Sequence, residues 1–146
     1  VANSLMITGA LLGVNVRICS PKGFEADSNI LEKAKSLSEF GSKISICNDP
    51  SIAVKEAQVI YTDVWASMGQ EKEYLKRKEI FEKYRVDQQL IDLAGKEVIL
   101  LHCLPAHRGE EITEEAFESE NSYVFDQAEN RLHVQHALLA VQLGGL

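Results

Sequence analysis

The sequence predicts an α/β fold in which a doubly wound, Rossmann-like parallel sheet is flanked by helices. Short runs rich in β-branched and aliphatic residues alternate along the chain with segments of helical periodicity, as in repeated βαβ units. The chain has 146 residues, of which 45% are hydrophobic and 25% charged. These values are typical of one globular domain of ordinary size.

Five short runs are predicted to be strands, at residues 14–19, 43–47, 58–62, 98–102 and 123–125. Residues 1–12 are predicted to form a helix that is already under way, with no strand or turn before it. A doubly wound sheet normally starts with a strand, so we expect a strand to precede Val1. Without it, apolar faces and strand edges should be left unpartnered.

Two helices are predicted between these strands. Asn29 is a predicted N-cap and Gly41 a predicted stop, and the apolar positions between them follow the helical period: Ile30, Ala34, Leu37 and Phe40. Residues 71–87 are dense in charged side chains with only a thin apolar stripe. We interpret that segment as a helix facing solvent.

Composition disfavours several kinds of partner and setting. The net charge of −7 argues against nucleic acid or an anionic membrane as the main partner. Residues 5–14 are too short to span a bilayer and lack the basic flank of a secretory signal. The three cysteines show no C-x-x-C spacing, which argues against a disulfide framework or zinc ribbon and favours a reducing, cytoplasmic setting.

The first candidate site follows the strand at 58–62. Asp63 and Ser67 come just after the carboxyl end of this strand, where ligands bind in open parallel sheets. The carboxylate of Asp63 suits a ligand that bears an amine. Alternatively, both side chains only satisfy backbone donors of the loop.

The second candidate site is the run H-C-L-P-A-H-R at 102–108, after the strand at 98–102. It fits a thiolate nucleophile with a histidine base, a metal site, a polar cradle for a substrate, or a structural turn with a buried thiol. Adjacent side chains of a strand point to opposite faces, which disfavours a base at His102 for Cys103. A metal is disfavoured because His133 and His136 would have to converge on the same residues.

The third candidate site lies in a predicted C-terminal helix. Asp126 and Glu129, in capping-box spacing, begin this helix, which ends at Gly144. Arg131 lies in its opening turns, where a guanidinium and a helix N-terminus favour an anion such as phosphate. The alternative is a weak surface pair between Arg131 and Glu129 or Asp126.

Together the three segments resemble the ornithine carbamoyltransferase family. The motifs are D-x-x-x-S-M-G at 63–69, H-C-L-P at 102–105 and A-E-N-R at 128–131, in the order and with spacing like that of the family. The resemblance covers essentially the whole chain. H-C-L-P is typical of ornithine-type enzymes within the wider carbamoyltransferase group, and S-M-G is typical of the loop that holds the ornithine side chain.

The resemblance implies a binding site for ornithine. Asp63, Ser67 and Met68 would hold its amino-acid end, with Asp63 facing the α-ammonium group. Cys103 and the Leu104 carbonyl would line the place where the δ-amine meets carbamoyl phosphate.

The resemblance also implies a reaction. His102 and Arg131, with Cys103 and Leu104, would contact carbamoyl phosphate, and Cys103 and Arg131 are the implied catalytic residues. The neutral δ-amine attacks the carbamoyl carbon directly and gives citrulline and phosphate, without metal or organic cofactor. The family pattern further implies a cis peptide bond between Leu104 and Pro105.

Family members have a second domain with a Ser-x-Arg-Thr phosphate loop, and this motif does not occur here. Residues 1–146 are therefore expected to be the C-terminal, ornithine-binding domain, cut on its N-terminal side and inactive alone. The carbamoyl-phosphate domain would be its partner, in a homotrimer as in the family. The alternatives are a non-catalytic amino-acid-binding module and a carbamoyltransferase for another amine such as putrescine.

Overall fold

The computed structural model describes residues 1–66 and 73–144. Four strands are described: β1 (Val16–Cys19), β2 (Ile44–Cys47), β3 (Val59–Thr62) and β4 (Ile99–His102). Seven α-helices are described: α1 (Ala2–Leu11), α2 (Ser28–Ser36), α3 (Pro50–Ala53), α4 (Tyr74–Phe81), α5 (Gln88–Ala94), α6 (Glu114–Phe117) and α7 (Val124–Gln142). A short 3₁₀ helix (Glu82–Tyr84) follows α4.

The strands form two parallel pairs, which confirms the predicted βαβ organisation. β1 pairs with β2 from Val16–Ile44 to Cys19–Cys47. β3 pairs with β4 in the same way, and Thr62 lies opposite His102. Each pair is joined through helices, as parallel strands require. The carboxyl ends of β3 and β4 therefore lie side by side.

β1 and β3 are not paired with each other, and a cavity of about 530 Å³ lies between them. Its lining includes Ile18 and Cys19 of β1 and Ile60 and Tyr61 of β3. In a doubly wound sheet, the first strand lies at the centre, between the second and fourth strands of the chain. The observed pairs match this order with the central position open. Among the described residues, the facing edges of β1 and β3 have no strand partner.

Each strand pair has its own apolar core. Beside β1 and β2, the buried cluster consists of Met6, Ala10, Ala34 and Ile44. Beside β3 and β4, a larger cluster includes Ile60, Val86, Ile91, Val98, Leu100, Ile112, Phe117 and Val124. The larger core supports the loops that follow β3 and β4, which hold most of the candidate site.

The predicted start of α2 is wrong by two residues. Asp27, rather than Asn29, is the N-cap, and its side chain accepts a hydrogen bond from the Asn29 backbone N–H at 2.7 Å. Asn29 therefore lies in the first turn. The helix ends at Ser36, so Phe40 lies beyond it with 77% of its surface exposed.

The strand predicted at 123–125 and the helix start predicted at Asp126 are both wrong. Ser122 makes a single parallel bridge with Leu100 of β4, and α7 then begins at Val124. Val124 is fully buried against the larger core, so packing overrides the β propensity of this run. Asp126 lies in the first turn, and the residue at the N-cap, Tyr123, makes no side-chain capping bond.

Two helices leave much of their surface in solvent. α4 buries none of its residues, which confirms the predicted solvent-facing helix at Tyr74–Phe81. The predicted extension of this helix to residue 87 is wrong, because the 3₁₀ helix ends at Tyr84 and Val86 is buried in the larger core. Residues 71 and 72 of that prediction lie outside the described residues. α7 and the residue that follows it expose a set of large apolar side chains: Leu132, Val134, Leu138, Leu139, Val141 and Leu143. No helix in the described ranges has the length and apolar character needed to cross a membrane.

Candidate functional site

The centre of the candidate site is a contact between the loops that follow β3 and β4. The thiol of Cys103 donates a hydrogen bond to Oδ1 of Asp63 at 2.9 Å. The two residues are far apart in sequence, and they meet because parallel pairing aligns Thr62 with His102. The structure therefore brings together two of the residues that the sequence predicts to act on one ligand.

The environment of Cys103 keeps its thiol protonated at neutral pH. Partial burial, together with the hydrogen bond to Asp63 and its negative charge, raises the pKa of Cys103 from 9.0 to about 11. A thiol with such a pKa is a poor nucleophile, since the thiolate is the reactive form. Among the interpretations left open by the sequence, this disfavours a thiolate nucleophile and favours a polar group that positions a ligand.

His102 lies beneath this contact and is held on both sides of its ring. Its Nε2 lies 3.1 Å from Oε1 of Glu111, and neither side chain has any exposed surface. Its Nδ1 accepts a hydrogen bond from the Leu104 backbone N–H at 2.9 Å. Since Nδ1 accepts, Nε2 carries the proton that is donated to Glu111. The ring therefore fixes the start of the turn that contains Leu104.

The turn after His102 has an unusual backbone. Leu104 has a φ of +52°, a conformation that residues with side chains rarely adopt. The bond between Leu104 and Pro105 is cis, which confirms the expectation drawn from the family pattern. Cys103 contacts Asp63 at the start of this turn, Leu104 packs against the larger core, and the His102 ring stays buried.

Glu111 anchors the far end of the same turn. Its Oε1 also accepts a hydrogen bond from the His107 backbone N–H at 2.6 Å. Its Oε2 lies 3.6 Å from Nδ1 of His107 and has no hydrogen-bond partner. Burial opposes the ionisation of Glu111, but the hydrogen bonds from His102 and from the His107 backbone outweigh it and lower its pKa. Glu111 is therefore a buried carboxylate that holds the turn.

Sequence reasoning did not find Gln127, which connects three parts of the site. Its Oε1 accepts a hydrogen bond from the His102 backbone N–H at 3.0 Å, and its Nε2 donates to the Tyr61 hydroxyl at 3.0 Å. It thereby joins β3, β4 and the first turn of α7. Glu111 was not predicted from the sequence either. Gln127 directly precedes the A-E-N-R motif, and Glu111 ends the loop that starts with H-C-L-P. Proximity to a motif is therefore the only sequence signal for either residue.

Arg131 lies apart from these contacts. Because α7 begins at Val124, Arg131 lies about two turns inside the helix and not at its N-terminus, which corrects the prediction. Its side chain is exposed. Among the described residues, no ion pair joins it to Glu129 or Asp126, and Glu129 instead lies 3.4 Å from His133. The two other predicted ornithine contacts, Ser67 and Met68, lie outside the described residues.

One group of possible metal ligands occurs in the described part of the chain. Ligand atoms of His107, Glu110 and Glu111 lie within 4.8 Å of one another. Glu110 already pairs with the ammonium group of Lys78 at 3.0 Å and accepts a hydrogen bond from the Tyr74 hydroxyl. These partners balance the charge of Glu110, so the cluster does not require an ion.

Comparison with known proteins shows which family the chain as a whole resembles. Residues 1–142 match the family described as aspartate/ornithine carbamoyltransferase, Asp/Orn binding domain. An ornithine carbamoyltransferase of Prochlorococcus marinus is 64% identical over all 146 residues, which make up 46% of that relative. One of Thermococcus kodakarensis is 50% identical over 147 residues, covering 100% of this chain and 47% of that relative.

Solved structures show the same relationship. The ornithine carbamoyltransferase of Pyrococcus furiosus superposes with a TM-score of 0.93 at 49% identity, over 100% of this chain and 47% of that one. A structure of N-acetyl-L-ornithine transcarbamylase superposes with a TM-score of 0.83 at 28% identity, over 97% of this chain and 44% of that one. The chain thus spans about half the length of the relatives it matches.

Proposed function

Because the chain belongs to the aspartate/ornithine carbamoyltransferase family through its Asp/Orn binding domain, we propose that it is the ornithine-binding part of an ornithine carbamoyltransferase. The enzyme transfers the carbamoyl group of carbamoyl phosphate to the δ-amine of L-ornithine and releases L-citrulline and phosphate. The observation that carries this proposal is the contact between Cys103 and Asp63 at the carboxyl ends of β3 and β4.

Asp63 supplies the charge that an amino-acid substrate needs. Its Oδ1 accepts hydrogen bonds from Cys103 and from the Val64 backbone N–H at 2.8 Å. Among the described residues, Oδ2 accepts none, so it can receive the α-ammonium group of ornithine. We propose Ser67 and Met68 as further ornithine contacts, on the strength of the S-M-G motif.

The transfer needs a neutral amine held against the carbamoyl carbon. The amine forms the new C–N bond, the bond from carbon to the phosphate oxygen breaks, and the amine gives up a proton. Cys103, as a protonated thiol, and the Leu104 carbonyl orient the reacting groups, and Arg131 binds the phosphate charge. Proximity and charge stabilisation then supply the acceleration.

His102 has a different part in this proposal. Both of its ring nitrogens are engaged, by Glu111 and by the Leu104 N–H. We therefore propose that its effect on carbamoyl phosphate runs through the position of the turn at Cys103 and Leu104. A direct ring contact, as the family resemblance implies, requires one of these hydrogen bonds to open.

The remaining parts of the proposal concern the whole protein. The relatives are about twice as long as this chain, so we propose that a carbamoyl-phosphate domain outside residues 1–146 completes the active site. We also propose a cytoplasmic homotrimer that acts in arginine metabolism. Sedimentation of the native gene product tests the trimer, and a monomer at assay concentration would contradict it.

The central test combines the mass and the activity of the native gene product. We expect a mass well above 16.2 kDa and formation of citrulline from ornithine and carbamoyl phosphate. Asp63→Asn should lose most activity, whereas Asp92→Asn, which alters an exposed carboxylate on α5, should keep it. Activity with putrescine but not ornithine would indicate another amine substrate, and ornithine binding without citrulline would indicate a binding module.

A further inference from the structure

We propose that Cys19 and Cys47 form an oxidisable thiol pair, which closes into an intramolecular disulfide in exchange with a small disulfide such as glutathione disulfide. The pair lies outside the Cys103 site, and its test does not depend on the proposed function. It also differs from a lone cysteine, because two thiols occupy matched positions on neighbouring strands.

The strand register places the two thiols side by side. Cys19 and Cys47 are the last residues of β1 and β2 and lie directly opposite each other. Paired residues of neighbouring strands point to the same face of the sheet, and their Cα atoms lie about 4.8 Å apart. This separation lies inside the range of about 4.4–6.8 Å between the Cα atoms of disulfides. Closure therefore needs side-chain rotation and little backbone movement.

The two cysteines face α3, on the side of the sheet opposite Ile18. Arg17, on the same face, donates hydrogen bonds to the carbonyl groups of Ile52 and Ala53 around the end of α3. Both cysteines are half-buried and belong to neither apolar core. They are therefore packed loosely enough to turn toward each other.

The two thiols are not equivalent, and this sets the order of the steps. Burial, followed by the nearby Cys47, raises the pKa of Cys19 to about 12. The Cys47 thiol contacts the backbone of Asp49, with Sγ 3.3 Å from the carbonyl oxygen and 3.4 Å from the N–H, and the thiolate of Cys19 is the harder of the two to form. Cys47 is therefore the attacking thiol, and Cys19 is the resolving thiol.

Other charged groups surround the pair. Asp49 raises the pKa of Cys19, and Lys83 lowers it. The Tyr84 hydroxyl donates a hydrogen bond at 2.7 Å to the carbonyl of Asn48, the residue after Cys47. Burial first, and then the two cysteines, Asp49 and Glu25, raise the pKa of Tyr84. These groups come from the start of α3, the 3₁₀ helix and the loop after β1: Asp49, Lys83, Tyr84 and Glu25.

The chemistry balances with an external disulfide. The Cys47 thiolate attacks one sulfur of glutathione disulfide, which breaks its S–S bond and releases one glutathione thiolate. The Cys19 thiol then loses its proton to solvent and attacks the Cys47 sulfur, which releases the second glutathione. Two protein thiols are oxidised, and one glutathione disulfide is reduced to two thiols.

A metal fits this position less well. Soft or borderline ions bind thiolates, but a closed zinc site needs four ligands. In residues 1–66 and 73–144, the only group of three or more metal-ligating side chains is at His107, and it does not include the two thiols. The geometry thus favours a disulfide bond between Cys19 and Cys47 over a metal site.

The test uses the reduced native gene product incubated with glutathione disulfide, then alkylated, digested without reduction and analysed by mass spectrometry. We expect a peptide pair joined through Cys19 and Cys47, about 2 Da lighter than the sum of its two free peptides. Closure of the Cys47 mixed disulfide should accelerate about tenfold per pH unit from pH 7 to 9, because the thiolate fraction of Cys19 grows by that factor.

Two matched variants test the order of attack. Cys19→Ser should stop at a stable glutathione adduct on Cys47, whereas Cys47→Ser should leave Cys19 unmodified on the same time scale. The wild-type peptide map decides the proposal even where a variant fails to fold. A stable mixed disulfide on Cys47 in the wild type, or separate adducts on both cysteines, would overturn it, as would an unchanged pair while Cys103 reacts.

Discussion

Replacement of Glu111 by alanine should sharply destabilise the protein. Oε1 of Glu111 accepts hydrogen bonds from the His102 ring at 3.1 Å and from the His107 N–H at 2.6 Å, and the side chains of Glu111 and His102 are fully buried. Two donors would lose their acceptor, at a cost of about 1–3 kcal/mol each. Both hydrogen bonds are made to a charged acceptor, so we expect a total loss of about 4 kcal/mol.

The conservative variant separates charge from hydrogen bonding. Glu111→Gln keeps a carbonyl oxygen in place of Oε1, so it should lose only about 1 kcal/mol, the difference between a charged and a neutral acceptor. Glu115→Ala, which removes an exposed carboxylate from the first turn of α6, is the matched control and should stay within about 0.5 kcal/mol of wild type.

The assay is urea unfolding of the native gene product, followed by circular dichroism at several pH values. The folded pKa of Glu111 is lowered from 4.5, so its contribution should be present above pH 4.5 and disappear as the pH falls through the lower folded value. If the alanine variant unfolds within 1 kcal/mol of wild type, a structural role of the buried pair is refuted.

Three further predictions follow from the site and the core. Cys103 should react with iodoacetamide at pH 8 much more slowly than a free thiol, since its pKa is raised from 9.0 to about 11. Its contribution to the free energy of unfolding should be present below pH 9 and lost between pH 9 and 11. Rapid alkylation of a folded sample would contradict this prediction. Arg131→Ala should raise the KM for carbamoyl phosphate without a change in melting temperature, because its exposed side chain makes no ion pair with described residues, and an unchanged KM would remove it from the phosphate site. Leu100→Ala should lower the free energy of unfolding by about 2–5 kcal/mol, since Leu100 is fully buried. Leu75→Ala on the exposed α4 is the control and should cost little. Equal losses in the two variants would disprove the described core.

The sequence predicts four of the strands because each is a short β-rich run next to a helical segment. It misplaces the start of α7, because Tyr123, Val124 and Phe125 have strand propensity, and only the burial of Val124 in the assembled core decides for a helix. It misplaces the cap of α2 because Asp27 and Asn29 are both good caps, and the backbone conformation at residue 27 selects the aspartate. Local patterns thus predict an element where propensity and packing agree, whereas at residues 123–125 tertiary packing decides both the type of element and its first residue.

The same distinction holds for the site. Asp63 and Cys103 could be paired from sequence, because each follows a predicted parallel strand and carboxyl ends of such strands converge. Glu111 and Gln127 could not, because a glutamate and a glutamine in polar segments give no sign that they are turned inward. Their roles depend on which hydrogen-bond donors of His102 are left without partners inside the fold.

The gap between β1 and β3 separates two apolar clusters that differ in size. The two apolar clusters share no residue, and the only strand pairing described is within each half. Partial unfolding of a protein follows such boundaries, and the unit with the smaller core unfolds at the lower free energy. Amide hydrogens of β1 and β2 should therefore exchange before those of β3 and β4. A strand seated in the gap would link both halves through its two hydrogen-bonded edges, and their exchange would then become a single global event.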